Sequence, residues 1–113
     1  MKLLIALNEN KKLNSKLSEH FGYCPYFAVY ETETKKIKII KNKINHSSKK
    51  LNPVEQIIKL KPNIVFSLGM GKKAIELFSK KKVKVKTGNY KILKEVINNL
   101  NKLLDLNKAC IEK

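Results

Sequence analysis

A chain of 113 residues is long enough for one domain that covers a five-strand sheet with helices, and too short for a second catalytic domain. Its formal charge of +16 comes from 25 basic residues, every one a lysine, so the bidentate forks that arginine offers to phosphate and guanine are missing and only point charges remain. No segment has the run of roughly eighteen or more apolar residues a spanning helix needs, and the apolar stretch at Met1–Asn8 is too short for a signal peptide, so the chain reads as soluble and cytoplasmic.

Leu3 to Leu7 is an apolar run of the kind buried on both faces of a sheet, and it is expected at the centre. Residues 8–19 are polar and read as an exposed loop returning toward His20. Pro25 to Thr32 and Lys36 to Lys41 read as a hairpin turning at Glu33-Thr34-Lys35, with the lysine-alternating second strand nearer the edge. After a polar loop at 42–51, the period changes to helical. Asn52, Pro53 and Glu55 supply an N-cap, a first-turn proline and a capping-box acid for a short helix that Pro62 ends near Lys61.

Asn63 to Leu68 reads as a second buried strand, followed by Gly69-Met70-Gly71 and a helix that uses Ala74, Ile75, Leu77 and Phe78. Val83 to Lys86 is a short strand. Beyond Gly88-Asn89, a longer helix is expected with Leu93, Val96, Ile97, Leu100, Leu103 and Leu104 as its stripe. Residues 1–106 thus form one domain, with 107–113 as a tail. The order β β β α β α β α and right-handed crossovers make the first, fourth and fifth strands parallel and the second antiparallel. The expected fold is α/β and ribonuclease H-like: three layers, with a mixed five-stranded sheet in the order 3-2-1-4-5 and helices on its faces. Its ligands would lie beyond the carboxyl ends of the parallel strands, where loops 8–19 and 69–71 meet.

The soft and borderline donors are few: His20, Cys24, His46 and Cys110. His20 and Cys24 flank Gly22 within five positions, and an imidazole with a thiolate suits iron-sulfur or other thiophilic chemistry. From spacing alone two readings stand, a capping histidine with a small buried thiol, or a pair of ligands. Two ligands are too few for a closed zinc site, and His46 and Cys110 are not expected to converge on them. A cluster that brings its own sulfide changes that arithmetic, because one or two protein ligands can tether it while hydrogen bonds supply the rest.

Gly69-Met70-Gly71-Lys72-Lys73 joins a strand to a helix, so it reads either as a plain helix-capping turn or as backbone N–H groups and a lysine facing an anion. Neither the Walker pattern nor the full dinucleotide fingerprint is present. Met70 reads as a side chain packing on the sheet, with a soft lip to a cluster as the other use. Catalysis is poorly served: two-metal nuclease chemistry needs carboxylates on central strands, and the only aspartate is Asp105. No enzyme is expected. The lysines spread over every segment, which favours a solvated surface over a nucleic-acid or phosphate site, the alternative that the charge raises.

Ser18-x-His20-Phe21-Gly22, the following Pro25-Tyr26-Phe27-Ala28-Val29-Tyr30-Glu31-Thr32, Pro62-Asn63-Ile64-Val65 and Gly69-Met70-Gly71-Lys72-Lys73-Ala74 together resemble the dinitrogenase iron-molybdenum cofactor biosynthesis family, which groups NifX-like and NafY-like proteins with the C-terminal domain of NifB. The resemblance runs over roughly residues 1 to 104 and implies the ribonuclease H-like fold. It implies a carrier that binds an iron-sulfur or iron-molybdenum type cluster, or its precursor, and passes it between donor and acceptor assembly proteins. By that resemblance His20 is the residue that holds the cargo; the ligand role of Cys24 is an inference from its position beside His20. Phe21, Gly22, Gly69, Met70, Gly71 and Lys72 complete the expected binding segment. The radical-enzyme half with its CxxxCxxC motif is absent, so the chain is not expected to build the cluster itself.

Overall fold

The computed structural model describes residues 1–106; the expected tail at 107–113 and Cys110 lie outside the described residues. Six strands form one sheet in the order β3-β2-β1-β4-β5-β6. They are β1 (Lys2–Leu7), β2 (Tyr26–Glu31), β3 (Lys36–Lys41), β4 (Ile64–Phe66), β5 (Lys84–Thr87) and β6 (Leu104–Asp105). The three helices are α1 (Pro53–Ile58), α2 (Lys72–Lys80) and α3 (Leu93–Asn98). β1 pairs antiparallel with β2 and parallel with β4, and β4 pairs parallel with β5, as the element order predicts.

Alternation along β1 divides the core in two. Leu4 and Ala6 pack with residues of α1 and α2, including Val54, Ile57, Ile75 and Phe78. Leu3, Ile5 and Leu7 pack on the opposite face with Leu93 and Val96 of α3. A strand covered on both faces needs apolar residues at every position, which is why the run is continuous rather than alternating.

Two features differ from the sequence expectation. The sheet has six strands rather than five, because the last helix is short. Asn99 leaves helical backbone at φ −128°, and its side-chain Nδ2 donates to the Glu95 carbonyl at 2.7 Å, competing with the helix for that acceptor. The chain then runs antiparallel to β5 as β6, where Asp105 pairs with the Lys86 ammonium and covers an edge that would otherwise be open. Leu104, expected in a buried stripe, is 63% exposed.

The second difference is within residues 8–19, which are mostly exposed up to Asn14 as expected but return to the core at Ser15, Leu17 and Ser18. After a 3-10 turn at Lys12–Asn14, Leu17 bridges Leu7, and Ser15, Leu17 and Ser18 are buried. The buried hydroxyl of Ser15 accepts from the Lys11 N–H at 2.7 Å and donates to the Lys12 carbonyl at 2.6 Å, so this polar segment closes its own hydrogen bonds inside the fold. Four turns carry a further feature on which the sequence pattern is silent. Lys12, Lys35, Lys61 and Lys82 all have positive φ, between 54° and 60°, where glycine or asparagine is the usual occupant.

The capping box of α1 forms as expected. Asn52 Oδ1 accepts from the Glu55 N–H at 2.8 Å, and Glu55 Oε1 accepts from the Asn52 N–H at 3.0 Å. Since α1 has only six residues, its position depends on this cap and on the burial of Val54 and Ile57. Asn52→Ala is expected to cost about 1 kcal/mol, read as a lower midpoint in urea denaturation with an unchanged slope.

Candidate functional site

The parallel strands β1 and β4 both end at one place. Beyond β1 the chain returns as Ser18-Glu19-His20, and beyond β4 it turns through Ser67-Leu68-Gly69. The two connections are joined directly: the Ser18 carbonyl accepts from the Leu68 N–H at 3.3 Å and lies 3.4 Å from the buried Ser67 Oγ, whose single proton goes to the Gly69 carbonyl at 2.6 Å. The expected meeting of loops 8–19 and 69–71 is therefore present. Over it lies a cavity of about 650 Å³, bordered by residues that include Glu19, His20, Phe21, Gly22, Gly69, Met70, Gly71 and Lys72.

His20 is presented by an anchor. It precedes a 3-10 turn at Phe21–Tyr23, and the Phe21 ring is buried against Phe27, with centroids 5.2 Å apart, and edge-on to Phe78 at 5.6 Å. The His20 N–H donates to Ser18 Oγ at 3.1 Å, and its carbonyl accepts from the Tyr23 N–H at 3.1 Å. The backbone on either side is thus held, while the imidazole is exposed at the cavity rim. Phe21 and Met70 are each 6% exposed and belong to the core, so they act as the cavity floor rather than as free contacts.

Cys24 is placed apart from this group. Its thiol is buried, donates to the Phe21 carbonyl at 3.0 Å, and does not border the cavity. Burial pushes it from its ordinary 9.0 up to about 11, partly offset by the N–H groups of Leu7, Cys24 and Tyr26. The loop that was expected to turn both side chains to one site sends only His20 there, because after the 3-10 turn Cys24 faces the packed side of the sheet.

His46 is brought in instead. From the 42–51 loop it borders the same cavity, stacks on Tyr23 with centroids 4.1 Å apart and planes 2° apart, and its Nε2 lies 2.9 Å from the Gly22 carbonyl. His46 was not expected to join His20 and Cys24 as a ligand; the structure puts it on the border of the cavity that His20 also borders. The signals lay in non-catalytic residues: Asn42 Nδ2 donates to the Gly22 and Cys24 carbonyls at 3.1 and 2.7 Å, pulling the loop onto the turn.

The α2 end of the cavity is suited to negative charge. Gly71 caps α2 with no side-chain hydrogen bond, its first turn holds no acid, and Lys72 begins it. The two glycines differ. A Cβ on Gly69 would stand 3.0 Å from the Glu19 carbonyl oxygen, whereas one on Gly71 would meet nothing within 4 Å. Gly69 therefore permits the close approach of the two loops, while Gly71 leaves the helix terminus open to whatever enters.

Among the described residues no group of three or more His, Cys, Asp or Glu side chains could hold a bare metal ion. Two imidazoles, one lysine and an open helix terminus fit a preassembled anionic group better than a naked cation. Among the described residues, no helix is long and apolar enough to cross a membrane.

Comparisons with known proteins bear on the family and the fold. The family model described as dinitrogenase iron-molybdenum cofactor matches residues 1–103. No curated protein matches. Among solved structures, the chain is similar to a Thermotoga protein described as a candidate NifB, with 22% identity, TM-score 0.77, and 95% of this chain and 94% of that one covered. It is similar to the apo form of the orange protein from Desulfovibrio gigas at TM-score 0.80, with 12% identity over 96% of this chain and 94% of that one. A further crystal structure, of a protein known by a locus name, is 27% identical over 93% of this chain and 96% of its own, with TM-score 0.73.

Two outcomes follow. Gly69→Ala is expected to cost on the order of 1 kcal/mol by pushing the Glu19 carbonyl, whereas Gly71→Ala stays within about 0.5 kcal/mol of wild type, since the poorer cap is offset by a stiffer unfolded chain; urea denaturation of both checks this. For Cys24, a folded value raised to about 11 means that its stabilising contribution is complete below pH 9.0 and is lost as pH rises toward 11. Wild type should lose stability over that window relative to Cys24→Ala, measured by denaturation at stepped pH.

Proposed function

The chain belongs to the dinitrogenase iron-molybdenum cofactor family, and on that premise we propose that it binds an iron-sulfur or iron-molybdenum type cluster, or a precursor of one, as transient cargo in metallocofactor assembly. It catalyses no reaction in this reading. The observation that carries it is the cavity at the carboxyl ends of β1 and β4, bordered both by an exposed imidazole on an anchored turn and by a helix terminus with no side-chain cap.

Each part of the cavity has a task. His20 supplies a nitrogen ligand to the cluster's metal, a bond that iron accepts readily from imidazole. The terminus of α2, with Gly71 and Lys72, supplies hydrogen-bond donors and positive charge to the sulfide face. Phe21 and Met70 give a floor with few waters to displace, and Met70 adds a polarizable sulfur. A single strong ligand with several weak contacts suits a carrier, because cargo held by a full ligand set would not be released to an acceptor.

Nucleic-acid binding, the other reading of the charge, finds less support. Lys72 is the one lysine that borders this cavity; Lys41, Lys43 and Lys59 border a second one of about 680 Å³ between β3, the 42–51 loop and α1, and the remaining lysines of the described residues are spread over every segment.

Anaerobic reconstitution with ferrous iron and sulfide tests the proposal. Wild type should take up a cluster visible by absorption and Mössbauer spectroscopy, His20→Ala should retain at most about a tenth as much after desalting, and Cys24→Ala should match wild type. Equal retention by wild type and His20→Ala would remove His20 from the site, and no uptake by wild type would end the cargo reading.

A further inference from the structure

The cargo reading uses one of the two imidazoles that border the cavity. We propose that His46 is a second protein ligand of the same cargo, binding through Nδ1, and that Gly22, Asn42 and Gln56 are the residues that position it. This rests on the cluster-binding reading and deepens it from a one-point to a two-point attachment.

The argument begins with the partner of Nε2. A carbonyl oxygen can only accept, so the 2.9 Å contact to the Gly22 carbonyl requires that Nε2 carry the proton. In the neutral ring the lone pair then resides on Nδ1, and among the described residues no hydrogen bond engages that atom. A ring with one N–H given to a backbone carbonyl and the other nitrogen free is the arrangement in which histidines ligate metals, since the carbonyl fixes both tautomer and orientation.

The surroundings hold the ring there. The Gly22 carbonyl accepts from both His46 and Asn42 Nδ2, using its two lone pairs. Asn42 Oδ1 accepts from the Ile44 N–H at 2.8 Å, and Gln56 of α1 closes the far side of the loop, accepting from the Asn45 N–H and donating to the Asn45 and Leu51 carbonyls at 2.8, 2.8 and 3.0 Å. Tyr23, 77% exposed, gains its packing from the stack on His46. A histidine that served only to close the loop would need none of the cavity; this one borders it together with His20.

His46→Gln separates ligation from loop closure, because the amide N–H can still donate to the Gly22 carbonyl while the imidazole lone pair is gone. Protein labelled with 15N-histidine is reconstituted anaerobically with ferrous iron and sulfide, reduced, and examined by pulsed EPR. Two coupled histidine nitrogens are expected in wild type and one in His46→Gln, with an unchanged thermal melt and about tenfold faster loss of iron to a chelator. Couplings and release rates that His46→Gln leaves unchanged overturn this inference alone; failure of wild type to take up any cluster overturns both it and the reading beneath it. Nitrogen NMR of the unloaded protein adds a test that needs no variant: an Nε2-protonated His46 supports the proposal, and an Nδ1-protonated ring overturns it.

Discussion

Leu3 to Leu7 are each at most 2% exposed, so β1 has no face toward water and must be paired along both edges and covered on both faces. That requirement places β2 on one side and β4 on the other, and it forces helices onto each face of the sheet. The cavity follows from the same fact. A buried strand must end somewhere, and where β1 and β4 end side by side their connections are pressed together, with the Ser18 carbonyl satisfied by the Leu68 N–H and the Ser67 hydroxyl by the Gly69 carbonyl, away from solvent. Gly69 is what lets them come so close.

Anchoring and exposure are divided between neighbouring residues at the site. Phe21 is buried between two aromatic rings, and the loss of such a side chain typically costs about 3 to 5 kcal/mol. His20, one residue earlier, is exposed and carries little of the fold's stability. A ligand held on a firm turn but not itself packed can bind and release without disturbing the core. The same division appears across the cavity, where buried Met70 precedes exposed Gly71 and Lys72. Charge is spread more diffusely: the surface is strongly basic throughout, and at the cavity positive charge comes from the α2 terminus and Lys72.

The 42–51 loop is the part that local pattern could not place. It contains no periodicity, and its register is set by Asn42 and Gln56, polar side chains whose partners lie far along the chain. Cys24 shows the converse. Its nearness to His20 in sequence suggested a shared site, yet a 3-10 turn between them rotates the thiol into the core, where a sulfhydryl behaves as a small apolar group. The final helix failed for a related reason. Leucines at 100, 103 and 104 continue a helical spacing, but Asn99 offers its side chain to the Glu95 carbonyl and ends the helix before they can join it.

Sequence alone determined the elements whose signals are local: the doubly buried strand at Leu3–Leu7, the hairpin, the capping box at Asn52 and Glu55, and the mixed strand order 3-2-1-4-5, because burial periodicity, capping and crossover handedness are all written in neighbouring residues. It also pointed to His20 and to the Gly69–Gly71 turn. Tertiary structure decided which donors border the cavity, His20 and His46 but not Cys24, and it added β6 to the open edge of β5. The reason is that side-chain direction in an irregular segment depends on where its backbone finds hydrogen-bond partners, and here those partners are 18 to 24 residues away.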